Sequence, residues 1–63
     1  MTQKELLYLE DAIGHERNII SILQDTIERL KDKNLISFLD NELNIHMSTK
    51  ENLMNKLKEK ANG

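Results

Sequence analysis

The pattern that sets the architecture of this chain lies in residues 6–30, which read LLYLEDAIGHERNIISILQDTIERL. Apolar residues recur there at alternating steps of three and four, a spacing that predicts a helix with a single apolar seam. The seam positions are Leu6, Leu9, Ile13, Ile20, Leu23, Ile27 and Leu30, with Glu16 in the remaining slot. Thr2 and Glu5 have the spacing of a capping box, so we expect the helix to begin near Gln3.

The second half of the chain repeats this spacing. Its seam positions are Ile36, Leu39, Leu43, His46, Lys50, Leu53 and Leu57. Asp32 is a favourable N-cap for a helix that starts at Lys33, and Asn34 is the rival cap. The sequence therefore predicts an all-α antiparallel two-helix hairpin, a single domain over 1–63. Helix 1 covers about 3–31, the turn about 32–33 and helix 2 about 33–60, which leaves 61–63 frayed.

The two seams agree on one register. When the chain is folded about residue 33, seam positions at equal distances from it face each other, as Leu30 and Ile36 do. The same rule places Ile20 opposite His46 and Glu16 opposite Lys50.

Length and composition limit the classes of function. The chain has 63 residues with no cysteine and no proline, so it is one small domain without disulfides or thiolate metal ligands. A net charge of -2 gives no basic footprint for nucleic acid, and no apolar run is long enough to cross a bilayer. The N-terminus has no signal peptide pattern. We expect an intracellular protein that binds neither membrane nor nucleic acid.

Further apolar residues widen both seams. They are Tyr8, Ala12, Ile19 and Ile22 on helix 1, and Leu35, Phe38 and Ile45, with Met47 and Met54 on the other flank, on helix 2. A lone hairpin would leave much of this surface in water, and such patches mark interfaces. We therefore expect a homodimer in which two hairpins pack as a four-helix bundle. The sequence leaves open how the two hairpins are oriented.

Polar residues interrupt the seams near mid-length, and two interpretations compete for them. In the first, Glu16, Glu42 and His46 from two protomers bind iron, manganese or zinc, as carboxylates and imidazoles do in helical bundles. In the second, these residues and Lys50 form a structural polar layer that fixes register. That layer would pair Glu16 with Lys50, and Glu42 with His46 along one helix. Lys50 weighs against the metal because an ammonium group competes with a cation for the carboxylate.

Three segments carry a resemblance to a known family. They are residues 5–16, ELLYLEDAIGHE; residues 30–35, LKDKNL, at the turn; and the stretch from Phe38 to His46. Together they resemble the short helical proteins of spore-forming Firmicutes related to spore coat protein F. The resemblance covers almost the whole chain and implies a helical, coat-associated or coat-like protein, but it does not by itself imply catalysis. We expect a non-enzymatic protein whose partners are a second copy and other coat proteins.

That group in turn resembles the ferritin-like superfamily, whose four-helix bundles hold a di-iron site built from a Glu and a Glu-x-x-His motif. The resemblance matches Glu16 and His46 to two of these positions. The Glu of the motif falls on Leu43, and the neighbouring carboxylate is Glu42. The resemblance therefore implies a degenerate ferritin-like site. A second analogy, in length and architecture only, is the plasmid copy-number protein Rop, a dimeric hairpin that binds RNA.

Overall fold

The computed structural model describes residues 1–62. It contains two helices, α1 (Gln3–Arg29) and α2 (Lys33–Asn62), which pack against each other as an antiparallel hairpin 46 Å long. Within residues 1–62 there is no strand, so the all-α hairpin is confirmed.

The start of α1 follows from the capping box. The Thr2 hydroxyl accepts from the Glu5 N–H at 3.1 Å, and Glu5 Oε1 accepts from the Thr2 N–H at 2.9 Å. Two backbone donors at the helix start are thus satisfied by two short side chains.

The turn begins earlier than the sequence indicated. α1 ends at Arg29, and Leu30 is its C-cap with an extended backbone, whereas the predicted end was about residue 31. The turn therefore uses Leu30, Lys31 and Asp32 to reverse the chain. Leu30 still reaches the seam, because its side chain is half-buried outside the helix.

Asp32 caps α2, as predicted. Its Oδ1 accepts from the N–H groups of Asn34 and Leu35 at 2.9 and 3.1 Å. The rival cap, Asn34, lies inside the helix. α2 continues to Asn62, two residues beyond the predicted end at Lys60, and Gly63 lies outside the described residues.

The seam is confirmed by burial. Ile13 and Ile20 are the buried side chains, and every other seam position in both helices is half-buried. Leu6 and Lys60 border one shallow hollow between the helices, and Ile13 and Met54 border another, which agrees with a fold about residue 33. Neither helix, within residues 1–62, carries an apolar stretch of the length needed to cross a bilayer.

Candidate functional site

One polar contact joins the two helices near the middle of their length. His46 Nδ1 and Glu16 Oε2 lie 2.6 Å apart across the seam, within hydrogen-bond distance. The two side chains are 15% exposed for Glu16 and 27% for His46. Both residues occupy seam slots, so the helical repeat that builds the core also brings them together.

The predicted pairing of these polar residues is wrong. Glu16 was expected to pair with Lys50, and His46 with Glu42, but Glu16 and His46 pair with each other. Within residues 1–62 no other acidic side chain makes a close contact with a basic one.

The heptad repeat supplies the physical reason. In this repeat Glu16 and His46 occupy the same type of seam position, which lies on the same edge of the seam in an antiparallel pair, and Lys50 occupies the other type. Glu16 and His46 are seventeen and thirteen residues from residue 33, so they are one helical turn apart, a gap that the long Glu16 side chain bridges.

Within one protomer, Glu42 does not come together with Glu16 and His46. Glu42 and Lys50 are both half-buried, but neither shares a polar contact with Glu16 or His46. Within residues 1–62 no group of three or more His, Asp or Glu side chains is placed to hold a metal ion. A metal site made by Glu16, Glu42 and His46 from two protomers stays a prediction.

The Glu16–His46 pair leaves one imidazole nitrogen available. The contact with Glu16 engages Nδ1 and orients the ring, and Nε2 has no hydrogen-bond partner among residues 1–62, so it is the nitrogen that a cation would meet. The arrangement can therefore fix the register of two helices, and it can also orient a histidine ligand. Neither hollow in the structure includes Glu16 or His46, so the pair does not line a substrate pocket there.

A second feature is the exposed apolar surface. Nine large apolar side chains of residues 1–62 are at least 41% exposed. They are Met1, Leu7, Tyr8, Ile22, Leu35, Phe38, Ile45, Met47 and Met54. Sequence reasoning identified most of them but missed Met1 and Leu7. Leu7 directly follows the seam residue Leu6, and this position in the repeat predicts that Leu7 lies on an outer flank.

No family model, curated protein or solved structure matches this chain. The resemblance to spore coat protein F and to the ferritin-like superfamily remains an interpretation of the sequence.

Proposed function

We propose that this protein is a small non-enzymatic structural or interaction protein that works as a homodimer, two hairpins forming a four-helix bundle. The observation that carries the proposal is that fewer large apolar side chains are buried than are exposed. Only Ile13 and Ile20 are buried within the described chain, while nine large apolar side chains remain exposed.

The imbalance matters energetically. Full burial of a Leu, Ile or Phe side chain contributes about 1.5–3 kcal/mol, so the exposed set holds more potential stabilisation than the buried pair supplies. A chain of this size has no disulfide and needs additional support to be stable. A second copy of the chain is present whenever the protein is expressed, and its apolar side chains supply that support.

The proposed biological setting follows from the sequence resemblance. Residues 5–16, 30–35 and 38–46 read like the coat-protein-F group, and such a setting requires a rigid bundle that binds other proteins rather than a catalytic pocket. On this proposal the partners are a second copy and other coat proteins.

Sedimentation equilibrium across a range of concentrations tests the dimer. We expect a dimer at micromolar concentration, with a melting temperature that rises with protein concentration. Ile22→Ser should weaken the dimer, because Ile22 is 62% exposed and lies among other apolar side chains. The matched control is Leu7→Ser, a residue 54% exposed on the opposite flank, which should leave the dimer intact. A folded wild-type monomer at micromolar concentration would overturn the proposal.

A metal-binding bundle is the second candidate, favoured by one observation. Glu16 holds His46 through Nδ1, which is how outer carboxylates orient metal-ligating histidines, and Nε2 remains free. Two protomers would bring two such histidines, with Glu42 as a further ligand and Glu16 behind His46 rather than on the metal.

Calorimetric titration with Zn(II), Mn(II) and Fe(II) tests this candidate. Stoichiometric binding that is lost in His46→Ala and weakened in Glu42→Gln would support it. Glu51→Gln is the control, because Glu51 is exposed on the far flank of α2. Absence of binding by the folded wild-type protein would remove this candidate and leave the structural polar layer.

A further inference from the structure

The apolar side chains outside the seam share a simple rule of position. On each helix, most of these side chains belong to the residue immediately before a seam residue. They are Tyr8, Ala12, Ile19 and Ile22 on α1, and Leu35, Phe38 and Ile45 on α2, a set named here the apolar face. Residues that precede the seam lie on one flank of each helix, and in an antiparallel pair these two flanks form the same side of the hairpin.

The opposite side of the hairpin supports this assignment. Arg17, Met54 and Lys58 each directly follow a seam residue, and all three line one hollow that spans the two helices. The following flanks of α1 and α2 therefore share one side, so the preceding flanks share the other.

The apolar face is nearly free of charge. Among the preceding positions from Tyr8 to Thr26 and from Leu35 to Lys56, the acidic or basic residues are Glu42 and Lys56, apart from His15. Charged residues are depleted at the centres of protein interfaces. The opposite side carries charges along its whole length, including Glu10, Arg17 and Lys58.

The dimensions of the hairpin fit a partner of the same length. The hairpin measures 46 Å by 15 Å across the plane of its helices, which gives a face of roughly 700 Å² before side chains are added. A standard stable interface buries about 800 Å² on each partner, so a stable complex has to use the whole face. A second hairpin, with the same length and the same apolar face, meets this requirement.

Two hairpins can dock on this face with their turns at the same end or at opposite ends. Apolar side chains are distributed unevenly along the face, and this asymmetry distinguishes the two orientations. Ile22 and Ile45 lie eleven and twelve residues from residue 33, so they sit side by side on neighbouring helices. Leu35 and Phe38 lie closer to the turn. The half of the face far from the turn carries Tyr8 and Ala12 with the polar residues Asn52 and Lys56.

Each dimer orientation makes different contacts. With both turns at the same end, α1 packs on the partner's α2, and Ile22 meets the partner's Ile45 twice by symmetry. With the turns at opposite ends, each helix packs on its own copy, so Ile45 lies opposite the partner's Asn52 and Phe38 lies near the partner's Lys56. The second orientation gains a Glu42–Lys56 ion pair, but an exposed ion pair contributes little compared with apolar area removed from water.

We infer that a second copy docks on the apolar face with both turns at the same end, each α1 lying against α2 of the other protomer; this rests on the dimer proposed above. Every helix has antiparallel neighbours in either orientation, so the choice rests on the apolar contacts and not on the helix dipoles. The two Glu16–His46 pairs lie at one level on either side of the two-fold axis.

Distances between spin labels test the orientation. The chain has no cysteine, so a single cysteine can be placed at Lys31, in the turn, or at Arg17, near mid-length, and labelled. Both side chains are exposed, and both positions follow a seam residue, which keeps the labels off the apolar face. Electron–electron dipolar measurements on the full-length dimer then report the distance between the two copies of each label.

The expected result is a distance of about 20–30 Å for both labels, set by helix spacings of 8–10 Å and the label arms. Turns at opposite ends would keep the Arg17→Cys distance short but lengthen the Lys31→Cys distance beyond about 40 Å, because some 28 residues of helical rise separate the two sites. That outcome would overturn the orientation and leave the proposed dimer standing. Absence of a dipolar signal for both labels would show a monomer and overturn both proposals.

Discussion

Glu16 Oε2 lies 2.6 Å from His46 Nδ1, and this contact ties the middle of α1 to the middle of α2. The two residues occupy seam slots one helical turn apart, so the contact joins two neighbouring layers of the seam. Because both side chains are largely removed from water, each needs the other as its polar partner.

Replacing both partners with leucine should stabilise the hairpin or leave its stability unchanged. Glu16→Leu or His46→Leu alone leaves one polar group without a partner, and we expect each to lower the free energy of unfolding by about 1–3 kcal/mol. The double variant fills both slots with apolar side chains, leaving Lys50 as the one polar seam position, and should exceed the wild type by up to about 4 kcal/mol. Urea unfolding of all four proteins at one concentration gives the coupling energy.

Glu51→Leu serves as the control, since Glu51 is exposed and changes there should stay within about 0.5 kcal/mol. If the double variant were less stable than the wild type, the pair would contribute net stability, and its interpretation as a register device that costs stability would be wrong.

The sequence predicted the fold well where local chemistry decides the outcome. The Thr2–Glu5 capping box, the Asp32 cap and the seam spacing each rest on a few neighbouring residues, and all three are confirmed. These signals depend on backbone geometry that does not change with the surroundings.

The partner of Glu16 could not be predicted in the same way. Register alone places Lys50 level with Glu16, but the contact depends on which edge of the seam each side chain occupies and on the reach of its rotamer. The end of α1 was misjudged for a related reason: Leu30 fits the seam period, yet the chain must already turn there. A periodic pattern does not report where the backbone leaves the helix.

Removing the cap of α2 should destabilise the hairpin. Asp32→Ala deletes the oxygen that accepts from the N–H groups of Asn34 and Leu35, so we expect a loss of about 1 kcal/mol in chemical denaturation. Asp32→Asn keeps an acceptor at the same place and should remain within a few tenths of the wild type. Equal losses in the two variants would mean that the negative charge at the helix start, rather than the cap, is responsible.

The capping box of α1 predicts the titration of Glu5. The Thr2 backbone N–H, which donates to the Glu5 carboxylate, holds the pKa of Glu5 below its ordinary value of 4.5, and the Thr2 side chain acts in the same direction. Because the folded pKa is lowered, the contribution of this carboxylate to helix stability is present above pH 4.5 and is lost as the pH falls through the folded pKa.

Thr2→Ala should raise the pKa of Glu5 towards its ordinary value, as measured by NMR titration of its side-chain carbons. Thr26→Ala is the control, because the Thr26 hydroxyl bonds to the Ile22 carbonyl in mid-helix and lies far from Glu5. An unchanged Glu5 titration in Thr2→Ala would show that the Thr2 hydroxyl does not lower the pKa of Glu5, and that the Thr2 backbone N–H, which the variant keeps, acts alone.

Gly14→Ala should stabilise the protein. Gly14 lies inside α1 with a negative φ, so alanine can adopt its backbone conformation without strain. A Cβ at this position would meet no atom within 4 Å, so nothing opposes the gain in helix propensity. We expect the free energy of unfolding to rise by about 0.5–1 kcal/mol in thermal or urea melts.

The same substitution also tests which side of the hairpin is covered. Gly14 directly follows Ile13 in the seam, on the side opposite the apolar face, and therefore remains in open space when a second copy docks as proposed. Ser21→Ala, two turns further along the same flank, gives the reference for an ordinary exposed position. If Gly14→Ala destabilises the dimer while Ser21→Ala does not, another chain approaches α1 closely at Gly14, and the partner occupies the charged side of the hairpin.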